Sequence, residues 1–314
     1  MIGDALRALF EGAFGSWYAF GSGTLIRATP LILTGLAVAI AFRAGVFNIG
    51  AEGQFIVGAA AATTVALSAH SLPAVVLIPL VLASGVVAGA AWAWIAAILR
   101  TRFHVLEVIS TIMLNFIATY LLSFLVRGPL QEPTRIYPQT LSLVDAARLP
   151  RLGTETRLHI GFLIAIAACV AAWWVLRYTA SGFRLRVVGE NPRAGASAGL
   201  IDVAVTTTRA FLISGGLAGL AGAIEVSGVT FALYENISPG YGFTAIAVAL
   251  LARLNPLAVI LTGVVFGALE TGATAMQRDA GVPSVAVSVV EATIILVLVA
   301  IAELRAKANR MAAA

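Results

Sequence analysis

Residues 42–59 read FRAGVFNIGAEGQFIVGA. Strongly apolar runs flank this stretch, and it breaks them with Asn48, Glu52, Gln54 and four glycines. Gly45, Gly50 and Gly53 let a backbone turn or approach a neighbour closely. Glu52 and Gln54 stand near the start of the next apolar run, where a helix dipole favours a carboxylate. Two readings stay open. The stretch is either a loop-to-helix corner with capping residues, or a broken helix lining a polar path.

What surrounds it settles the class of protein. Of 314 residues, 60% are hydrophobic and only 11% charged, and mean hydropathy is +0.97. Soluble domains carry about 25% charged residues, so this chain is polytopic and membrane-embedded. Apolar segments fall at about 25–42, 54–68, 72–99, 108–126, 160–176, 211–231, a broken pair 243–251 and 256–269, and 287–304. None shows the alternation that a membrane barrel requires. The expected fold is therefore all-α: a single transmembrane bundle over 1–314, of about 8–10 helices with broken or re-entrant segments. Gly85/Gly89, Gly215/Gly219 and Gly263/Gly267 recur at i, i+4, the spacing that lets helices pack closely in lipid. The lone Cys169 lies in an apolar run as a small hydrophobe, and no intrachain disulfide is available to it.

The net charge of +5 reflects basic loops retained on the cytoplasmic side, not a nucleic-acid partner. The 99-LRTRFH-104 turn, the 178–207 loop with Arg184, Arg186 and Arg193, and the 305–314 tail are expected inside. The 127–159 loop is then external, and residues 42–54 lie near the cytoplasmic side. That count leaves residues 1–24 outside or interfacial, with nothing to carry them across. Either 5–20 is an interfacial helix, or one more helix precedes this chain; the second is favoured.

Three further polar clusters interrupt the apolar pattern. In 104-HVLEVISTIMLN-115, Glu107, Ser110, Thr111 and Asn115 share one helix face, which belongs inside a bundle or against a cavity. Interhelical bonding alone explains them as well as a path does. The segment 182-GFRLRVVGENPRAGASAGLIDV-203 combines a basic loop with a turn and a small-residue helix. Attraction of anionic lipid would explain its charge, but the structured GENP element looks like a docking device. In 239-PGYGFTAIAVALLARLNPLAVI-260, Pro239, Gly240 and Gly242 mark an external turn, and a second break at Arg253–Pro256 halves a long helix. Glu225, Glu270 and Glu291 are single acids in apolar runs and hence further path candidates.

Absent motifs narrow the function. No GxxxxGK[ST] loop is present, so the chain does not hydrolyse ATP by itself. HExxH is missing, and His70, His104 and His159 are scattered, so neither an intramembrane enzyme nor a metal site is expected.

The run 27-RATPLILTGLAVAIAFRAGVFNIGAEGQF-55, with 107-EVISTIMLN-115, 188-VGENPRAGASAG-199 and 239-PGYGFTAIAVALL-251, closely resembles permease subunits of bacterial ABC importers for nucleosides and simple sugars. These belong to the larger ribose/branched-chain amino acid permease group. The resemblance implies a type II-like importer permease with a second, homologous permease as partner. It also implies an ATPase with two nucleotide-binding domains that holds ATP-Mg, and an external substrate-binding lipoprotein. The chain itself would carry no cofactor, be embedded in lipid of the bacterial inner membrane, and take up purine nucleosides or related sugars. A proton-coupled secondary carrier is the alternative. Members generally begin with one more apolar helix. By resemblance, FNIGAEGQ belongs to the translocation path, with Asn48, Glu52, Gln54, Glu107, Ser110, Thr111 and Asn115 as candidates. Gly189, Glu190, Asn191 and Pro192 would form the turn, and 193–199, beginning at Arg193, the helix that couples to the ATPase. Arg253 and Leu254 depart from the glycine-containing pattern.

Overall fold

The computed structural model describes residues 2–197, 201–283, 285, 286, 289, 292, 293 and 297. The apolar run at 287–304, Glu291 and the 305–314 tail thus lie mostly or wholly outside the described residues. Those described form helices joined by loops, with two isolated bridges and no strand.

In chain order the helices are α1 (Ile2–Phe14), α2 (Trp17–Arg43), α3 (Ala51–Ser68), α4 (Ala74–Phe103), α5 (Glu107–Arg127), α6 (Gly161–Tyr178), α7 (Ala180–Glu190), α8 (Pro192–Ser197), α9 (Val203–Thr230), α10 (Tyr241–Leu251) and α11 (Pro256–Ala280). Six of them (α2, α4, α5, α6, α9 and α11) are long and apolar enough to cross a membrane. α9 begins eight residues before the apolar run does. Asp202 starts it, accepting the Val205 N–H at 2.9 Å, so the polar VAVTTTRA stretch is helical too.

α2 is apolar around its whole circumference and correspondingly central: every residue from Ala28 through Ala41 is buried. α9 crosses α3 and α4 through a seam of glycines. A Cβ on Gly219 would lie 2.1 Å from the Gly85 carbonyl oxygen, one on Gly89 2.2 Å from that of Gly215, and one on Gly58 2.4 Å from Gly219 Cα. Backbone meets backbone here, as the i, i+4 spacing anticipates. Gly267 does the same for α11 against the α2 backbone at Thr24 and Ala28, while Gly263 makes room for the Ile32 side chain. α1 lays Ala5, Leu9 and Gly12 on Gly272, Ala275 and Met276 of α11.

The bundle has two distinct ends. One carries the 44–50 break, the α4–α5 turn and α7–α8, and is called the elbow end below. The other carries loop 128–160 and residues 231–240, and is called the loop end. At the elbow end, Arg253 and Leu254 break the last helical pair with φ of 51° and 57°, a left-handed conformation that favours glycine. Arg43 donates to the Leu254 carbonyl at 3.3 Å. Asn255 then caps α11 by accepting the Leu257 N–H at 3.0 Å, with Pro256 in the first helical position.

Candidate functional site: the broken backbone and its braces

Residues 44–50 leave the helical path between α2 and α3 inside the bundle, so their backbone groups need partners from elsewhere. Four side chains from outside the break meet that need. Asn115 of α5 accepts the Gly53 N–H at 2.8 Å and donates to the Ile49 carbonyl at 2.9 Å. Thr111, one helical turn earlier, accepts from Ile49 N at 3.3 Å. Glu107, one turn earlier again, forms an ion pair with Arg100 and accepts from Phe47 N at 3.4 Å. Arg100 in turn donates to the Gly45 carbonyl at 3.2 Å. The spacing noticed on α5 therefore serves as a ladder of brackets along the break. Ser110, on the same helix, is buried and donates to its own helix at the Glu107 carbonyl.

Asn48 is the centre of the corner. Its side chain is wholly buried. It donates to Gln54 Oε1 at 3.0 Å and to Ser214 Oγ of α9 at 2.9 Å, and it accepts from Gly50 N at 2.9 Å and Gln54 Nε2 at 3.1 Å. An amide has donors and acceptors to satisfy on both sides, and Asn48 uses both.

Glu52 holds the second broken helix. It accepts the Gly242 N–H at 2.7 Å and a hydrogen bond from Ser238. α10 has only 11 residues and is about 16 Å long, roughly half the apolar thickness of a bilayer. Its N-terminus ends inside the bundle, with the Glu52 carboxylate set against the positive end of the helix dipole. Of the residues expected to mark an external turn, Pro239 is exposed and Gly240 half-buried, whereas Gly242, with Tyr241, is buried. The cause is steric. A Cβ on Gly242 would stand 2.2 Å from Glu52 N, so only glycine lets α10 seat on the first turn of α3.

At the elbow, α7 runs through Gly189 and Glu190, and Asn191 alone separates it from α8. Asn191 caps α8 by accepting the Ala194 N–H at 3.0 Å, with Pro192 first in that helix and Arg193 next. Gly189 and Glu190 thus close a helix, a correction to the four-residue turn expected there. Gly189 is small for another reason. A Cβ on it would lie 2.0 Å from the Arg43 carbonyl oxygen, and one on Gly45 would lie 3.3 Å from Gly189 Cα. The end of α7 rests directly on the start of the 44–50 break.

Glu225 is buried near the loop end of α9, close enough to Arg27 and Glu270 to feel their charge. Arg27 donates to the Glu270 carbonyl at 2.7 Å and to Thr274 at 3.0 Å.

At the loop end, Arg127 grips Glu235 through two bonds of 2.6 and 2.7 Å, and Ser123 adds a third at 2.5 Å. These hold the Glu235 carboxyl down to about 2 and fix residues 231–240, which lead to Ser238. Loop 128–160 packs along them: Thr140 N donates to Leu233 O at 2.9 Å and Leu143 N to Phe231 O at 2.7 Å.

His159 is buried under Gly161 and Gly228. Its Nδ1 accepts from Gly161 N at 3.2 Å, which leaves the proton on Nε2. Burial holds its pKa down to about 4 from 6.5. The unfolded chain therefore binds the proton first, so this contribution to stability is complete above pH 6.5 and declines as pH falls toward 4. Melting temperatures of the detergent-solubilised chain are expected to fall between about pH 6.5 and 5. His159→Asn, which keeps an acceptor for Gly161, should flatten that slope; parallel slopes would acquit His159.

Sequence reasoning brought out Asn48, Glu52, Gln54, Glu107, Ser110, Thr111 and Asn115. It passed over Ser214, Ser238, Arg100 and Arg43. Arg100 was legible only as one of two arginines, with Arg102, that precede Glu107 across a short turn. Ser214 and Ser238 carry no such signal, since their partners lie 166 and 186 positions away in the chain.

No solved structure matches this chain. Among curated proteins it is 41% identical to a glucose ABC transporter permease protein, TsgB13, of Haloferax volcanii, over 94% of this chain and 80% of that one. It is 40% identical to a guanosine ABC transporter permease protein, NupP, of Bacillus subtilis (94% and 85%). It is 36% identical to a nucleoside ABC transporter permease protein, NupB, of Lactococcus lactis (91% and 80%). A second permease from each of these organisms matches at 29–30%. The model of the branched-chain amino acid transport system / permease component family matches residues 22–301, and the chain belongs to that family of multi-pass transport subunits.

Proposed function

We propose that this chain is one permease of an ATP-driven importer for nucleosides, purine nucleosides first, or for related simple sugars. The observation that carries the reading is identity of 36–41% across at least 91% of the chain to three proteins named as ABC transporter permeases for guanosine, nucleosides and glucose. A riboside and a hexose share a polyhydroxylated ring, which is the common chemistry of those three cargoes.

The partners are a second homologous permease, an ATPase with two nucleotide-binding domains and an external substrate-binding lipoprotein. The paired permeases of the relatives' organisms support the first of these. ATP-Mg resides on the ATPase. The membrane is the bacterial cytoplasmic membrane, with the elbow end inside and loop 127–159 outside. Residues 178–207 form the coupling loop, docking to the ATPase through Gly189, Glu190, Asn191, Pro192 and Arg193. Residues 1–24 lie externally or at the interface, and the 305–314 tail is cytoplasmic.

The path runs beside the junction of α3 and α10. Asn48, Glu52, Gln54, Glu107, Ser110, Thr111 and Asn115 brace its wall, their polar groups already engaged by protein. Reconstitution with the three partners tests the reading. Uptake of labelled guanosine that needs both ATP and the binding protein is expected. Glucose uptake without guanosine uptake would move the cargo to sugars. Uptake by the chain alone, driven by a proton gradient, would replace the importer with a secondary carrier.

A further inference from the structure

A recess of about 320 Å³ opens at the elbow end between α6, α7 and α9. Its depth comes from α6, where Ala168, Ala171 and Ala172 present methyl groups in place of the larger side chains around them. Ile213 and Leu217 of α9 form the opposite wall. Two cations stand among its lining residues, Arg184 of α7 and Arg209 of α9, and no acid does. Both arginines are exposed, and neither has a hydrogen-bond or ion-pair partner among the described residues. Charge is handled differently in the cavity at the loop end, where Glu11 and Asp279 accompany Arg27 and Arg278.

The position narrows the occupant. α6 ends at Tyr178 and α9 begins at Val203, so the mouth lies where two long apolar helices leave the membrane. Trp173, Trp174 and Tyr178 occupy the same end of α6, the aromatic belt that marks an interface. An isolated arginine at such a level simply extends its head to water. Here two flank an apolar recess, and a planar guanidinium matches a phosphate oxygen pair.

We infer that this recess is a binding site for one anionic phospholipid, with its phosphate on Arg184 and Arg209 and an acyl chain against the alanine face of α6. Basic pockets between membrane helices bind anionic headgroups in this way. The site is independent of the cargo and of the coupling role of α7.

The test uses the full-length chain purified in dodecyl maltoside, with dioleoyl phosphatidylglycerol titrated against dioleoyl phosphatidylcholine. Binding is read by native mass spectrometry and by melting temperature. The anionic lipid is expected to remain bound and raise the melting temperature, and the neutral one is not. Arg184→Gln with Arg209→Gln should weaken the apparent affinity roughly thirtyfold. Both residues are exposed and unpartnered, so the double variant should melt like the parent in the neutral lipid. Ala172→Phe keeps both arginines and fills the recess, and it too should abolish selective retention. Undiminished binding in either variant would overturn the proposal. So would an equal shift from inorganic phosphate alone, which would mean that the acyl chain contributes nothing.

Discussion

Asn48→Ala is expected to lower the melting temperature of the purified chain by roughly 10 °C and to abolish ATP-driven uptake. The substitution strands the Gly50 N–H, the Gln54 amide and the Ser214 hydroxyl in one buried corner. Each unsatisfied buried group costs about 1–3 kcal/mol. Thr119→Ala is the control, because the hydrogen bond of Thr119 goes to the Asn115 carbonyl of its own helix, at 3.0 Å. A fall no larger than that of the control would mean that the corner holds together without its central side chain.

The second large effect concerns Gly189. A methyl group there meets the Arg43 carbonyl 2.0 Å away, and both surfaces are backbone, so neither yields by a rotamer change. Overpacking of this kind costs about 1–3 kcal/mol and shifts α7 relative to the 44–50 break. Gly189→Ala is therefore expected to reduce substrate moved per ATP hydrolysed by about tenfold in the reconstituted importer, with ATPase activity kept. Gly195→Ala, on the neighbouring α8, is expected to change little, since a Cβ there meets only side-chain atoms at 3.5 Å or more. If both variants couple normally, the contact between α7 and the break does not transmit the stroke.

The helices themselves were legible because lipid permits few alternatives: an apolar run of sufficient length is a helix, while paired glycines at i, i+4 point to close packing without saying which helices meet. The 42–54 break was visible for the same reason, since Asn48, Glu52 and Gln54 have no place in a lipid-facing helix. What composition and spacing do not encode is which distant element answers each polar group. The Glu52–Gly242 bond joins residues 190 positions apart, and nothing local to PGYGF says that its helix starts inside the bundle. GENP misled for a related reason. Glycine serves turns and close approaches alike, and at Gly189 the close approach applies.

The glycine seam also sets a schedule for biogenesis. Gly85 and Gly89 leave the ribosome about 130 residues before Gly215 and Gly219, an interval of roughly 10 s at ordinary synthesis rates. For that time the notched faces of α3 and α4 have no mate and must be lined by lipid or by the insertion machinery. Quality control that senses unassembled membrane segments would find them there, so a variant that delays α9 is degraded young, before any defect in transport is expressed.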